Sequence, residues 1–372
     1  MKRLLPLLAA VLLLCACGSA APTDTGAQPA GEAIPLQYAE RFTADRYPGG
    51  AFLLTLGEKE QYWLLPEGIE PPFAPELPAI PIPVDRVYLA SSSVADFFLQ
   101  LDALDAVAYT STKPDSWQLP EIREALEQEQ LLYVGRYSAP DYELLLTEGC
   151  GLVVENTMIL HSPATRERLE ALGFPLLVEY SSYETHPLGR VEWIKLYGLL
   201  TGKLEEAEQF FDRQVRTFAS LSETEDGEKS VAFFHITANG AVTVRKSNDY
   251  VTRMIELAGG RSAVTELPPD DSALSTMTIQ MESFYAQARD ADILIYNGTV
   301  GEEISTVGQL LELSPLLADF KAVASGQLWC TEQSMFQRST AAADMIADFH
   351  AVLCGESVDD LHYLHPIQQE TP

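Results

Sequence analysis

Strand-like apolar runs alternate with helical segments through most of this chain, and that alternation admits few folds. Residues 86–90, 107–110, 132–135, 152–155 and 175–179 read as short buried strands, with helical segments at 94–101, 122–128, 141–147 and 165–172 between them. The pattern starts again at 231–235, 241–244, 293–296 and 327–330, with helices at 250–258, 279–287 and 341–353. Strands separated by helices form βα units and a mainly parallel sheet. Ligands of such sheets sit at the carboxyl ends of the strands. In this chain those ends run into polar loops. Ahead of the alternation, 47–66 reads as a β-hairpin turning at 57–59, and a Pro-rich passage follows to residue 83.

Between the two halves lies KLEEAEQFFDRQVRTFASL, residues 203–221. Leu204, Ala207, Phe211, Val215, Phe218 and Leu221 recur at steps of three and four, which is one stripe of a helix. Glu205, Glu206 and Glu208 lie in its first turns and Arg213 and Arg216 later, an order that suits the helix dipole. About 19 residues at 1.5 Å each make a rod of roughly 29 Å. The halves it joins are locally similar. Residues 140–157 and 278–299 each run from a helix with an early glutamate to a buried strand and an Asn-containing loop. The expected fold is therefore α/β, with two Rossmann-like lobes bridged by a single long α-helix and two sets of strand-end loops across a cleft.

The first residues bear on the compartment. Lys2 and Arg3 precede an apolar run at 4–14, too short to span a bilayer and suited to a signal peptide. It closes on Leu14-Cys15-Ala16-Cys17-Gly18-Ser19, which resembles the lipobox of bacterial lipoproteins with Cys17 as the acylated residue. The expected division is a signal peptide at 1–16, a disordered tether at 17–40, an N-terminal lobe with its leading hairpin at 41–202, the bridging helix at 203–222 and a C-terminal lobe at 223–372. Cys150, Cys330 and Cys354 lack CxxC spacing, so no structural metal or redox pair is indicated. A disulfide between two of them stays open.

Composition narrows the partners. A hydrophobic content of 47% in 372 residues allows real cores. With 24 basic and 54 acidic residues the net charge is -30, which argues against nucleic acid and for a partner with a basic patch. There is no GxSxG, HExxH, P-loop or GxGxxG, so no enzyme is indicated. Six histidines are scattered without metal-site spacing, which disfavours a receptor for free zinc or manganese.

Four stretches carry a resemblance: YVGRYSAPDYELLLTEGCGLVVENTMI, SSYETHPLGRVEWIKLYGLLTGK with the helix after it, VRKSNDYVTRMIELAGG and ADILIYNGT. The chain resembles, over roughly 84–353, the substrate-binding lipoproteins of ABC importers for iron-siderophore, heme and cobalamin complexes, the helical-backbone (class III) periplasmic binding proteins. The resemblance implies a monomer anchored through Cys17 on the extracytoplasmic face of the cell membrane. It would capture a chelated metal, foremost a ferric siderophore, and pass it to an ABC permease and its ATPase, with no resident cofactor. Heme or cobalamin binding, or a surface sensor or adhesion lipoprotein on the same fold, are the other readings.

In the family, one glutamate on each lobe tip docks on permease arginines, and Glu143 and Glu282 match those places. Cys150-Gly151 replaces the family's Pro-Asp ahead of the strand after Glu143. The ligand residues expected from the N-lobe loops are Ser91, Ser92, Lys113, Arg136, Tyr137, Asn156, Met158, Ser182, Tyr183 and Arg190. From the C-lobe they are Arg245, Lys246, Tyr250, Asn297, Met335 and Arg338. Cations suit an anionic chelate and aromatic faces suit its rings. Arg190 also has Glu184 and Glu192 as neighbouring charges in sequence. Trp193 and Met254 are expected in the core, and His235 as a neutral packed histidine.

Overall fold

Strands covered by helices on both faces are largely apolar and pair in parallel. Val87–Leu89, Val107–Thr110, Leu132–Tyr133, Leu152–Asn156 and Leu176–Glu179 do so in the computed structural model, which describes residues 30–57, 59–221, 229–269, 275–301 and 303–369. The order across this five-stranded sheet is 176–179, 152–156, 87–89, 107–110, 132–133. The chain lays strands outward from 87–89 and then returns to its other side. That reversal leaves a switch point between 87–89 and 152–156, where open α/β sheets form a crevice.

The second sheet has seven strands. Thr276–Ile279, Val242–Arg245, Ser230–Ile236, Ile293–Tyr296, Leu328–Thr331 and Leu364–Pro366 follow one another across it, and Arg261–Ser262 flanks Ser230–Ile236. Ser230–Ile236, Ile293–Tyr296 and Leu328–Thr331 run parallel, while Val242–Arg245 and Leu364–Pro366 oppose their neighbours. The strand order reverses again between 230–236 and 293–296. The helix expected from residue 279 is Met281–Ala288, because Thr276–Ile279 pairs as a strand with Val242–Arg245.

The bridging helix is Leu204–Ala219, 16 residues and so about 24 Å long. Ala207 and Phe211 are buried, and Leu204, Val215, Phe218 and Leu221 pack against the same core. Helix Ile194–Thr201 approaches it closely at Gly198, where a Cβ would come within 2.7 Å of the Ala207 methyl. On its other side the C-lobe helix Ala342–Cys354 is tied on by Gln214. Its Nε2 donates to Asp344 at 2.9 Å and its Oε1 accepts from the Ala343 amide at 3.3 Å. One core therefore runs from Leu89 and Val154 through Tyr197 and Phe211 to Phe233, Ile295 and Trp329, shared by the inner faces of both sheets. Each outer face has a core of its own, around Val153 and Val178 in one lobe and Leu294 and Phe320 in the other.

The expected hairpin is the Phe52–Leu56 and Glu60–Pro66 pair of a five-stranded leading sheet that also holds Glu32–Ala33, Phe42–Arg46 and Ala79–Ile82. The tether expected up to residue 40 thus ends sooner. Its polar, Pro-containing sequence has few partners nearby, but two distant carboxylates supply them. Glu192 accepts from the amides of Gln37, Tyr38 and Ala39 at 2.7–3.0 Å, and Glu184 from those of Glu40 and Arg41 at 2.9 and 3.0 Å. Lys195 balances Glu192 at 2.6 Å, and both side chains are buried. The 1–16 leader and Cys17 lie outside the described residues. Cys150, Cys330 and Cys354 are free thiols. Among the described residues no helix is long and apolar enough to cross a membrane.

Removing Glu192 would leave three amides without their acceptor and the buried Lys195 ammonium with only the Pro35 carbonyl and no countercharge. Glu192→Ala is expected to cost about 3–5 kcal/mol in urea unfolding. A loss below about 1 kcal/mol would mean that residues 37–39 are held by other contacts.

Candidate ligand-binding cleft

The lobes meet through loops at the carboxyl ends of Val87–Leu89 and Leu328–Thr331. Asp96, fully buried in the first turn of helix Ala95–Gln100, reaches across. It accepts from the Thr340 amide at 2.9 Å and hydroxyl at 2.6 Å, and pairs with Arg338 at 3.3 Å. Ser339 Oγ donates to the Ser93 carbonyl at 2.9 Å. Gln337 accepts from the Gln118 amide and donates to the Ser116 carbonyl. The strand-end loops are thus joined directly at this point.

Beside this seam a guanidinium from each side approaches one tyrosine. Arg190, on the short helix Pro187–Glu192, stacks 5.0 Å above the Tyr250 ring, and its Nη2 donates to Ser339 Oγ at 3.4 Å. Arg245, ending strand Val242–Arg245, lies 4.6 Å over Phe336 and 5.5 Å over Phe233, with Asp249 at 3.5 Å. Asp249 also caps helix Tyr250–Leu257 by accepting from the Val251 amide. Phe336 meets Tyr250 edge-on at 6.1 Å. Burial raises the Tyr250 phenol above its usual range, and the charges of Arg190 and Arg245 oppose that rise. Glu179 is likewise raised by burial, partly offset by the Ser181 hydrogen bond and Arg190. Arg190 pairs with neither Glu184 nor Glu192, because those carboxylates are directed to residues 37–41 and to Trp193 and Lys195.

The other expected ligand residues divide. Lys113 and Arg136 are exposed at the ends of their strands, and Ser182 is exposed beyond Leu176–Glu179. Ser91 and Ser92 are half-buried at the first switch point, with Ser91 Oγ 2.9 Å from Ser93 Oγ. Tyr137 packs against the outer N-lobe core. Lys246 lies in a cavity with Ser247, Asn248 and Met277. Met158 and Tyr183 are 46% and 43% exposed, and Leu160 is 45% exposed, all on the turns that follow the paired strands Leu152–Asn156 and Leu176–Glu179.

Three residues sit differently from the expectation of a ligand-facing side chain. Met335 is 1% exposed in the shared core, since the turn 335–337 folds it inward. Asn156 and Asn297 each spend their amide oxygen on their own loop. Asn156 accepts from the Met158 amide, and Asn297 from the Thr299 amide and hydroxyl. The likeness between the two Asn loops is therefore one of turn geometry. Arg338 is engaged by Asp96 and Glu121 across the seam. Trp193 and Met254 are in the core. Burial lowers the His235 pKa, in the direction that favours a neutral ring.

Sequence reasoning missed Asp96, Phe336, Ser339 and Thr340. Asp96 carried a signal, being a single acid within the apolar run Val94-Ala95-Asp96-Phe97-Phe98. Glu143 and Glu282 are exposed residues in the first turns of Tyr142–Thr147 and Met281–Ala288. Both helices start at a carboxyl edge. The first links parallel strands 132–133 and 152–156, and the second follows Thr276–Ile279, which two antiparallel pairings align with 230–236.

Two α/β lobes on a helical backbone, with loops from both converging on one seam, define a substrate-binding protein of the helical-backbone class. A model described as periplasmic binding protein matches residues 87–334, and the chain belongs to that family. The family is the non-catalytic, small-molecule-binding part of ABC transport and works with permeases. An uncharacterized lipoprotein of Methanocaldococcus jannaschii is 24% identical over 308 residues, 78% of this chain and 75% of the relative. A periplasmic heme binding protein from Pseudomonas aeruginosa is 18% identical with a TM-score of 0.58, covering 77% of this chain and 99% of that one. An ABC-type Fe3+-hydroxamate transport system structure from Saccharomonospora viridis is 19% identical with a TM-score of 0.55, covering 73% and 93%.

Glu155, at the carboxyl end of the strand that borders the first switch point, is fully buried, and neither of its oxygens has a hydrogen-bond partner among the described residues. Burial raises its pKa to about 8. The folded state therefore holds a proton that the unfolded chain releases near its ordinary pKa of 4.5. The resulting penalty is absent at low pH and grows as pH rises towards 8. In Glu155→Gln the loss of stability between pH 4.5 and 8 is expected to shrink by about 1 kcal/mol or more, read by urea unfolding at both values. An unchanged pH dependence would place the proton elsewhere.

Proposed function

We propose that this chain is the receptor of an ABC importer, lipid-anchored through Cys17 outside the cytoplasmic membrane, and that it captures a chelated metal, foremost a ferric siderophore. The observation that carries this reading is the Arg190–Tyr250–Phe336–Arg245 cluster beside the interlobe seam. Guanidinium groups stacked on aromatic rings suit a ligand that is both anionic and ring-bearing. Lys113, Lys246 and Arg136 add charge on nearby strand ends, and Ser91, Ser92, Ser182 and Tyr183 add hydroxyls. Glu143 and Glu282, exposed at the carboxyl edges of their lobes, are the acids that meet the permease, whose ATPase drives uptake. No chemistry is performed on the cargo. The exposed apolar side chains Met158, Leu160 and Tyr183 on neighbouring strand-end turns favour a second reading, a flat macrocycle such as heme or a corrinoid.

Tryptophan-fluorescence titration against ferric catecholates, ferric hydroxamates, heme and cobalamin tests the ligand class. Arg190→Ala should weaken an anionic siderophore by about 1–3 kcal/mol. An unchanged dissociation constant would make Arg190 a structural residue, and saturable binding of heme or cobalamin alone would replace the siderophore reading. The double variant Glu143→Ala, Glu282→Ala should abolish uptake while affinity stays intact. Normal uptake by that variant would sink the docking assignment.

A further inference from the structure

At the far end of the last helix, His350, Cys354 and Glu356 bring three donor atoms of different kinds within 4.8 Å of one another. We propose that these residues form an accessory site for one zinc-like divalent cation, separate from the cargo cleft.

Local geometry supports this. His350 and Cys354 lie one turn apart on helix Ala342–Cys354, so their side chains share a face. The helix ends at Gly355 in the left-handed region, with φ 70°. That turn folds the chain back so that the Glu356 amide donates to the Ala351 carbonyl at 3.0 Å, which brings the Glu356 carboxylate beside the thiol. His350 is buried, and its Nδ1 lies 3.1 Å from the Ala258 carbonyl at the end of helix Tyr250–Leu257. A backbone carbonyl on Nδ1 is the usual device for fixing a metal-binding imidazole and presenting Nε2.

Distance adds a second argument. Zinc at about 2.05 Å from nitrogen and about 2.3 Å from sulfur, with a tetrahedral angle, holds the two donors about 3.5 Å apart. His350 Nε2 and Cys354 Sγ are 3.5 Å apart. Nitrogen, thiolate and carboxylate donors together select borderline cations over magnesium or calcium. Cys354 and Glu356 are exposed, so a cation can reach the site and a fourth position stays open to water. Lys229, which donates to the Leu353 carbonyl, opposes a cation there. The thiolate and carboxylate outweigh its single charge, within a chain of net charge -30. Cysteine spacing alone conceals such a site, because two of its three donors are not cysteines.

The experiment is titration of the purified chain with Co2+ and then Zn2+. One equivalent of Co2+ should give near-ultraviolet thiolate charge-transfer absorption that Zn2+ displaces. Cys354→Ser should abolish that absorption, and Cys354→Ser and Glu356→Gln should each weaken Zn2+ binding at least about tenfold. His350 is packed, so these two exposed positions are the informative variants, with circular dichroism confirming their fold. Absence of the thiolate band, or Zn2+ affinity unchanged in Cys354→Ser, overturns the proposal.

Discussion

The Glu192 carboxylate, buried against Lys195 and holding the amides of residues 37–39, fixes more of this molecule than its single charge suggests. It anchors the segment between the first two strands of the extra β-sheet, and so ties that sheet to the N-lobe. It also orients its own helix. Arg190 lies two residues earlier, about 200° around a helix with 3.6 residues per turn. With Glu192 held on one side, Arg190 is directed to the other, where Tyr250 and Ser339 of the C-lobe stand. Gly189 makes the arrangement possible, since a Cβ there would meet the Tyr38 carbonyl at 2.8 Å.

The lobes are separate sheets but do not have separate interiors. Helices 194–201, 204–219 and 342–354 lie between their inner faces, and one apolar core passes through all three. Relative movement of the lobes must deform that core or turn on the loops around it. Close-packed interiors resist the first. The polar seam at Asp96 and Thr340 works in the same direction, because separation would expose a buried carboxylate and its donors.

Much of this was legible in the sequence, for reasons that can be named. The parallel strands could be read because strands covered on both faces are mostly apolar, as 293–296 is throughout and 152–154 is up to Glu155. The bridging helix could be read from its stripe and its charge order. What stayed hidden depended on partners far away in the chain. Residues 37–41 look like a loose tether until Glu184 and Glu192, more than 140 positions later, supply their acceptors. Asn156 and Asn297 have the residue type of ligand contacts, but their side chains close local turns, which composition cannot reveal. Met335 was placed by position after a strand, and its burial follows from the turn that carries it. Among the expected cations, Arg190 and Arg245 come together because a helix and a strand from different halves meet, a tertiary fact with no local signature.

The stitched seam also bears on how far the two rims can part. Here the Ser93 carbonyl and the Asp96 carboxylate accept from Ser339 and Thr340, and the Gln118 amide donates to Gln337, which ties the two rims together. With the two rims pinned at that edge, the lobes can part there only by giving up these bonds.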